Sequence, residues 1–284
     1  MVLPLGRRVE LPGRGTTFVR DFAGPAGAPT VVLLHGWMAT ADLNWFTSYA
    51  ALGQYFRVLA LDHRGHGQGI RSRRFRLEDC ADDVAALLDV VGVERAVIVG
   101  YSMGGPIAQL TWRQHPARVQ GLALCATSRT FAGRANESAY FQGMVGSAAA
   151  LLSLAPMPLR RRLLGEFIDR RPQTGAVPEW MTDQLRKSDP ALLAQAGRSL
   201  GGFDSRLWIG EVDVPAAVLV TMHDNLVPPA RQRSLAKSIP GAVTFEIDGD
   251  HRVCVAHPEK FVPTLVYACR GLARRGKTDS SAGF

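Results

Sequence analysis

The sequence predicts a protein of the α/β class, built on a mostly parallel β-sheet with helices on both faces. Short runs of apolar, often β-branched residues recur along the chain, which is typical of strands buried on both sides. Segments with apolar residues at helical spacing stand between these runs. Strands and helices that alternate in this way are joined by right-handed crossovers, so the carboxyl ends of the parallel strands share one edge of the sheet.

The composition is that of a globular protein with a basic surface. The chain has 284 residues, of which 46% are hydrophobic and 20% charged, enough for one large domain with a sizeable core. A net charge of +8 favours anionic surfaces or substrates, but no motif typical of DNA or RNA binding is present, so we expect no nucleic-acid partner. The four cysteines lack disulfide-framework spacing and no signal peptide is evident, which favours a cytoplasmic location.

Five strands are predicted in the first hundred residues. The first two form an antiparallel pair across a Pro-Gly-Arg-Gly turn, and the other three are apolar runs typical of buried strands. A helix over residues 77–91 precedes the fifth strand. These strands comprise residues 7–10, 16–22, 30–34, 56–61 and 96–99.

The alternation breaks after a sixth strand, which is predicted over residues 119–126. Between residues 127 and 204 the pattern is helical, without a convincing strand. We therefore interpret residues 129–205 as a helical cap inserted into a core formed by residues 1–128 and 206–284. Some apolar side chains of this cap are expected to shape an apolar pocket.

The sheet pattern resumes in the last third of the chain. Strands are predicted over residues 214–221 and 242–247, each followed by a helix, over residues 230–239 and 258–272. The remaining residues, 273–284, are basic and then polar, and we expect them to be disordered.

A Gly-x-Ser-x-Gly motif follows the fifth predicted strand directly and precedes a helix. This motif reads Gly100-Tyr101-Ser102-Met103-Gly104, and its position between strand and helix is the context required for a nucleophile elbow. Gly100 and Gly104 are needed because a Cβ at either position would clash with the adjacent strand or helix. The turn would hold the Ser102 hydroxyl clear of the sheet at the positive end of a helix, so Ser102 is the predicted nucleophile.

A serine nucleophile needs a base, usually an imidazole that a buried carboxylate orients. His251 follows the last predicted strand and therefore reaches the same edge of the sheet, although His223 is an alternative. Asp224 follows a buried strand and precedes His251, giving the chain order Ser, Asp, His. Asp248 and Asp250 are closer to His251 in sequence, but turn chemistry explains both of them.

The developing oxyanion of acyl transfer needs preorganised hydrogen-bond donors. We predict the backbone N–H of Met103, directly after the nucleophile, as one donor. The second is predicted to be the backbone N–H of Trp37, because glycine at position 36 lets this loop approach the substrate oxygen closely.

No cofactor or metal is predicted. The glycine-rich segment over residues 62–67, Asp-His-Arg-Gly-His-Gly, lacks the phosphate-loop pattern G-x-x-x-x-G-K-[ST], and we interpret it as a structural turn at the sheet edge. Neither a dinucleotide fingerprint in a convincing strand–helix–strand unit nor a metal-ligand spacing such as H-E-x-x-H is present.

Five segments together carry a family resemblance. They are His35-Gly36-Trp37, residues 62–67, residues 100–105, Val214-Pro215 with residues 224–228, and Gly249-Asp250-His251. In these segments, which span almost the whole chain, the sequence resembles the α/β-hydrolase superfamily, and in particular its serine esterase- and lipase-like members. The resemblance implies an eight-stranded sheet, a cap after the sixth strand and a catalytic triad of Ser102, Asp224 and His251.

Three functions are compatible with these residues, because a fold supports many chemistries. The first is hydrolysis of a small carboxylic ester or acyl substrate through an acyl-enzyme on Ser102. The second is carbon–carbon bond hydrolysis or a lyase reaction on an anionic substrate with the same triad. The third is ligand reception without catalysis. Membrane contact by a basic, apolar-capped protein is a further hypothesis, and the oligomeric state stays open.

Overall fold

An eight-stranded sheet forms the centre of the molecule in the computed structural model. The structure describes residues 3–131 and 179–281, together with residues 152, 154–156, 158–160, 162, 163 and 166. In chain order the strands are β1 (Gly6–Leu11), β2 (Gly15–Phe22), β3 (Thr30–Leu34), β4 (Arg57–Leu61), β5 (Ala96–Tyr101), β6 (Val119–Cys125), β7 (Ala216–Thr221) and β8 (Val243–Ile247).

The strand order across the sheet is β1-β2-β4-β3-β5-β6-β7-β8. The β2 strand runs antiparallel to its neighbours β1 and β4, and the pairs from β4 to β8 are all parallel. The parallel pairing confirms the predicted fold class, and it places the carboxyl ends of β3 to β8 at one edge.

Helices cover both faces of the sheet, as the continuous apolar strands predict. On β3, Val31 and Leu33 belong to one buried hydrophobic cluster, whereas Val32 and Leu34 belong to another on the opposite face. The helices whose bounds the structure gives are α1 (Ala41–Trp45), α2 (Tyr49–Gly53), α3 (Leu77–Val90), α4 (Gly104–Gln114), α5 (Glu179–Arg186), α6 (Pro190–Gly201), α7 (Pro229–Ser238), α8 (Val253–Ala256) and α9 (Pro258–Ser281).

The last helix, α9, is longer than the sequence predicts. It continues beyond residue 272, so the expected disorder of the tail is wrong for residues 273–276. Ala273 is buried, and its carbonyl accepts a hydrogen bond of 3.1 Å from the Gln120 side chain on β6. Packing against the sheet therefore continues the helix where the polar composition alone gave no sign of it.

Two described helices, α5 and α6, lie between β6 and β7, within the predicted cap. The side chain of Asp189 caps α6 by accepting from the backbone N–H groups of Ala191 and Leu192. The Asp189 N–H in turn donates to the Gly65 carbonyl at 2.7 Å, which ties α6 to the loop after β4. Residues 132–151 and 167–178 of the predicted insertion lie outside the described residues, so its bounds stay a prediction. Within the described part of the chain, no helix has the length and apolar character needed to cross a membrane.

A buried ion-pair network fixes the loop after β4 against α3. The Asp83 carboxylate accepts two hydrogen bonds from Arg64, at 2.6 and 2.7 Å, and one of 2.6 Å from Arg14. The side chains of Asp83 and Arg64 are only 4% and 10% exposed. A paired arrangement of this geometry tolerates burial, but an isolated charge at the same place would not.

We predict that Asp83→Asn, which keeps the shape of the side chain, lowers the free energy of unfolding by about 3 kcal/mol, because it leaves the buried Arg64 without a charge partner. Urea denaturation measures the change. Glu246→Gln is the matched control, since its ion pair with Arg233 lies at the surface, and it should change stability much less. Equal losses in the two variants would contradict the prediction.

Candidate active site

The turn between β5 and α4 holds Ser102 in a strained conformation. Its φ is +52°, in the left-handed region that residues with a side chain rarely adopt. A Cβ on Gly100 would lie 2.2 Å from the Gly104 carbonyl oxygen, and one on Gly104 would lie 2.2 Å from that of Leu34. Both glycines are therefore required by close backbone approach, as predicted from the motif.

The structure brings Ser102, His251 and Asp224 together at the carboxyl edge of the sheet. The Ser102 Oγ lies 3.0 Å from His251 Nε2, and His251 Nδ1 lies 2.7 Å from Asp224 Oδ2. A carboxylate can only accept, so the proton sits on Nδ1, and Nε2 is left to accept from the serine hydroxyl. This arrangement is one in which the imidazole can take the serine proton.

The Asp224 carboxylate is fully buried and fully hydrogen-bonded. Its Oδ1 accepts from the backbone N–H groups of Leu226 and Val227, both at 2.8 Å, and its Oδ2 accepts from the Thr221 hydroxyl at 2.8 Å. Burial alone would raise the pKa of Asp224, but the interactions with His251, the Val227 N–H and Thr221 outweigh it and lower the pKa below its ordinary value. Asp224 therefore stays ionised beside the imidazole at neutral pH.

The alternative residues have other partners. His223 is exposed and lies 2.9 Å from Asp248, away from the buried carboxylate of Asp224. Asp250 accepts hydrogen bonds from the backbone and side chain of Arg252, in the turn that the sequence suggested.

The residues that carry the two predicted oxyanion donors belong to segments that approach each other at Ser102. Met103 is the N-cap residue of α4, where backbone N–H groups lack intrahelical acceptors. Trp37 follows Gly36, where a Cβ would lie 3.3 Å from the Cβ of Ser102, so the two loops are nearly in contact. The Gly36 N–H donates to the side chain of Asn44 at 2.9 Å, which fixes this loop against α1.

Sequence reasoning treated residues 62–67 only as a turn and missed a cluster of buried histidines. The ring centroid of His35 lies 4.2 Å from that of His63 and 5.2 Å from that of His66. His35 donates from Nδ1 to the Gly36 carbonyl and accepts the His63 N–H at Nε2, so it is held as the neutral tautomer. Within the described part of the chain no group of side chains is arranged to hold a metal ion.

Burial keeps all three imidazoles neutral, and repulsion by neighbouring imidazoles adds to it at His35 and His63. Burial is the larger cause, and it lowers the pKa of His63 to about 3 and that of His66 to about 4. The pKa of His35 also lies well below its ordinary value, for the same reason and because His63 and His66 are close. Protonation of any of the three imidazoles would therefore disturb the packing beneath the loop of Gly36.

Comparison with known proteins gives a consistent result. The family model described as alpha/beta hydrolase fold matches residues 29–258. The pimeloyl-[acyl-carrier protein] methyl ester esterase of Chromobacterium violaceum is 31% identical over 242 residues, which cover 84% of this chain and 92% of that protein.

Solved structures share the architecture. The enol-lactonase from Burkholderia xenovorans LB400 matches with a TM-score of 0.74 and 26% identity, over 92% of this chain and 99% of that one. A hydrolase from Pseudomonas aeruginosa PA01 matches with a TM-score of 0.77 over 93% of this chain and 97% of that one, but at 23% identity it shows the fold alone.

We predict that acid destabilises the fold through the histidine cluster. As the pH falls below about 6.5, the histidines of the unfolded chain become protonated, whereas the buried imidazoles of the folded protein stay neutral until about pH 3 to 4. The free energy of unfolding therefore falls across this window. In His63→Phe, the loss in free energy of unfolding between pH 7 and pH 4.5 should be smaller than in the wild type by about 2 kcal/mol.

The control for this experiment is Phe75→Leu, which removes packing against the His66 ring without removing a titratable group. It should lower stability by a similar amount at every pH. Burial raises the pKa of Asp62 to about 6, and this shift makes the folded protein more stable as the pH falls. The test therefore compares the pH dependence of each variant with that of the wild type, in which Asp62 acts in the same way. If the free energy of unfolding of His63→Phe depended on pH as it does in the wild type, the histidine cluster would not be the cause of the loss of stability in acid.

Proposed function

The chain belongs to the alpha/beta hydrolase fold family, and on that basis we propose that it is a serine hydrolase that cleaves a carboxylic ester. The main support is the continuous hydrogen-bonded line from Ser102 through His251 to Asp224, at 3.0 and 2.7 Å. The hydroxyl, the imidazole and the carboxylate are ordered as general-base activation of a serine requires.

In the proposed reaction, Ser102 Oγ attacks the ester carbonyl while His251 Nε2 takes the hydroxyl proton. The Asp224 carboxylate holds the imidazole through Nδ1 and stabilises the imidazolium that forms. His251 then gives the proton to the leaving alcohol, which departs and leaves an acyl group on Ser102. A water molecule, deprotonated by the same imidazole, attacks the acyl-enzyme, and the imidazolium returns this proton to Ser102 Oγ as the bond from Oγ to the acyl carbon breaks and the acid is released.

Two backbone N–H groups, those of Met103 and Trp37, are proposed to stabilise the tetrahedral oxyanion. The contact between Gly36 and Ser102 and the position of Met103 at the start of α4 support this assignment. A Cβ at position 36 would lie 3.3 Å from the Ser102 Cβ and would require a shift of a few tenths of an ångström, so we propose that the glycine is part of the site.

Residues 129–205 are proposed to form a cap over the site. Part of α6 supports this role, because the Trp37 indole donates to the Leu193 carbonyl at 2.7 Å and so connects the helix with the proposed oxyanion loop. The relative from Chromobacterium violaceum is named as a methyl ester esterase and the Burkholderia structure as an enol-lactonase. We infer a small substrate that contains a carboxylic ester bond, open-chain or cyclic.

We predict that Ser102→Ala abolishes labelling by a fluorophosphonate probe and lowers kcat for p-nitrophenyl esters by about 10⁴-fold or more, because the nucleophile is removed. Labelling is read by gel fluorescence and mass spectrometry, and turnover by nitrophenolate release with esters of graded chain length.

The matched control is Ser199→Ala, which removes a serine hydroxyl that donates to the Phe75 carbonyl, and it should leave both readouts unchanged. Labelling that persists in Ser102→Ala, or a wild type that binds these esters without turning over any of them, would exclude the proposed function.

A further inference from the structure

Tyr101, the residue before the proposed nucleophile, connects the elbow to the loop that carries His251. Its hydroxyl donates to the backbone carbonyl of His251 at 2.9 Å. Its ring also lies edge-on to the imidazole, with 5.7 Å between centroids and an interplanar angle of 62°. Tyr101 therefore contacts both the main chain and the side chain of the residue that reaches Ser102.

The Tyr101 ring is itself held in place. It is 3% exposed, and it packs edge-on against Trp45 and Phe261, with ring centroids 6.0 and 5.6 Å away. Burial raises the pKa of Tyr101 well above its ordinary value, so the hydroxyl keeps its proton and can donate. The donor is thus fixed by the core, whereas the acceptor is in a turn.

That turn, residues 249–252, is tied beside His251 by the His223 N–H, which donates to the Gly249 carbonyl at 3.0 Å, and by the Val253 N–H, which donates to the Asp250 carbonyl at 3.1 Å, whereas the His251 carbonyl itself accepts from the Tyr101 hydroxyl. The turn follows β8, the edge strand of the sheet, and leads into the four-residue helix α8. One neighbouring tie is made by Thr47, whose hydroxyl donates to the Cys254 carbonyl at 2.7 Å. This bond lies three residues beyond His251, on α8, and so it holds the neighbouring helix without contacting the backbone or the imidazole of His251.

We propose that Tyr101 is a positioning residue. Its hydroxyl fixes the distance between the elbow and the His251 backbone, so that one imidazole ring reaches both Ser102 and Asp224. The inference rests on the proposed serine hydrolase function. Both ring contacts are near their optimal lengths, at 3.0 and 2.7 Å, so a retreat of the backbone lengthens at least one of them. Proton transfer from the serine is the step that depends on this geometry.

The test compares Tyr101→Phe with Thr47→Val. Each variant removes one hydroxyl that donates to a backbone carbonyl after β8, that of His251 in Tyr101→Phe and that of Cys254 on α8 in Thr47→Val, and Phe keeps the ring and its aromatic contacts. With a p-nitrophenyl ester, Tyr101→Phe should lower kcat by about 10- to 100-fold while KM changes less than about twofold. Thr47→Val should leave kcat within about twofold of the wild type, although both variants lower the melting temperature to a similar extent.

A second readout needs no substrate. The proton between His251 Nδ1 and Asp224 should give a low-field ¹H NMR resonance in the wild type and in Thr47→Val. In Tyr101→Phe this resonance should be broadened or lost, because the His251 imidazole is no longer held at one distance from Asp224. A merely structural role for the hydroxyl would leave the resonance sharp in a variant that is still folded.

Two outcomes would refute the proposal, and a third would refute the proposed function instead. Equal kcat values in Tyr101→Phe and the wild type, with the resonance retained, would refute it. An equal loss of kcat in Tyr101→Phe and Thr47→Val would also refute it, by assigning the effect to loop stability. A wild type without turnover or fluorophosphonate labelling would refute the proposed function, and the resonance alone would then show whether Tyr101 positions the imidazole.

Discussion

The strained backbone of Ser102 is the constraint on which the rest of this edge of the molecule depends. A residue in the left-handed region costs about 1–3 kcal/mol and persists only where its surroundings fix it. Here the Ser102 N–H donates to the Cys125 carbonyl at 3.0 Å, and the Ser102 carbonyl accepts from the Thr127 hydroxyl at 2.8 Å and from the Gly105 N–H at 2.9 Å. The backbone N–H and C=O of Ser102 are therefore held by β6, by the segment after it and by α4.

Side chains from other elements join the loops around this turn into one assembly. Asn44 on α1 accepts from the Gly36 N–H and approaches the Cys254 sulfur with its amide at 3.8 Å, so it links the loop after β3 with the helix after His251. The Tyr101 hydroxyl adds a link from the elbow to His251. Groups that must be aligned before a substrate arrives are thus fixed by hydrogen bonds to the scaffold, which is the condition for preorganised electrostatic stabilisation.

The sequence was informative wherever a residue type has one physical explanation. Glycine on both sides of Ser102 implied close backbone approach, and an acid directly after a buried strand implied a side chain at the sheet edge. The structure shows both features. The sequence could not reveal three sets of contacts: those of the Thr221 and Gln232 side chains with Asp224, that of the Tyr101 hydroxyl with His251, and those within the cluster of three histidines. These contacts join residues whose distance in space depends on packing. The continuation of α9 past residue 272 was hidden for the same reason.

The most direct measurement is a crystal structure of the protein after reaction with a fluorophosphonate ester. The phosphorus should be bonded to Ser102 Oγ, with its free oxygen about 2.7–3.1 Å from the backbone nitrogens of Met103 and Trp37. His251 Nε2 should remain within hydrogen-bond distance of an oxygen on the adduct. Phosphorus on another residue, or a free oxygen directed away from both nitrogens, would contradict the proposed site.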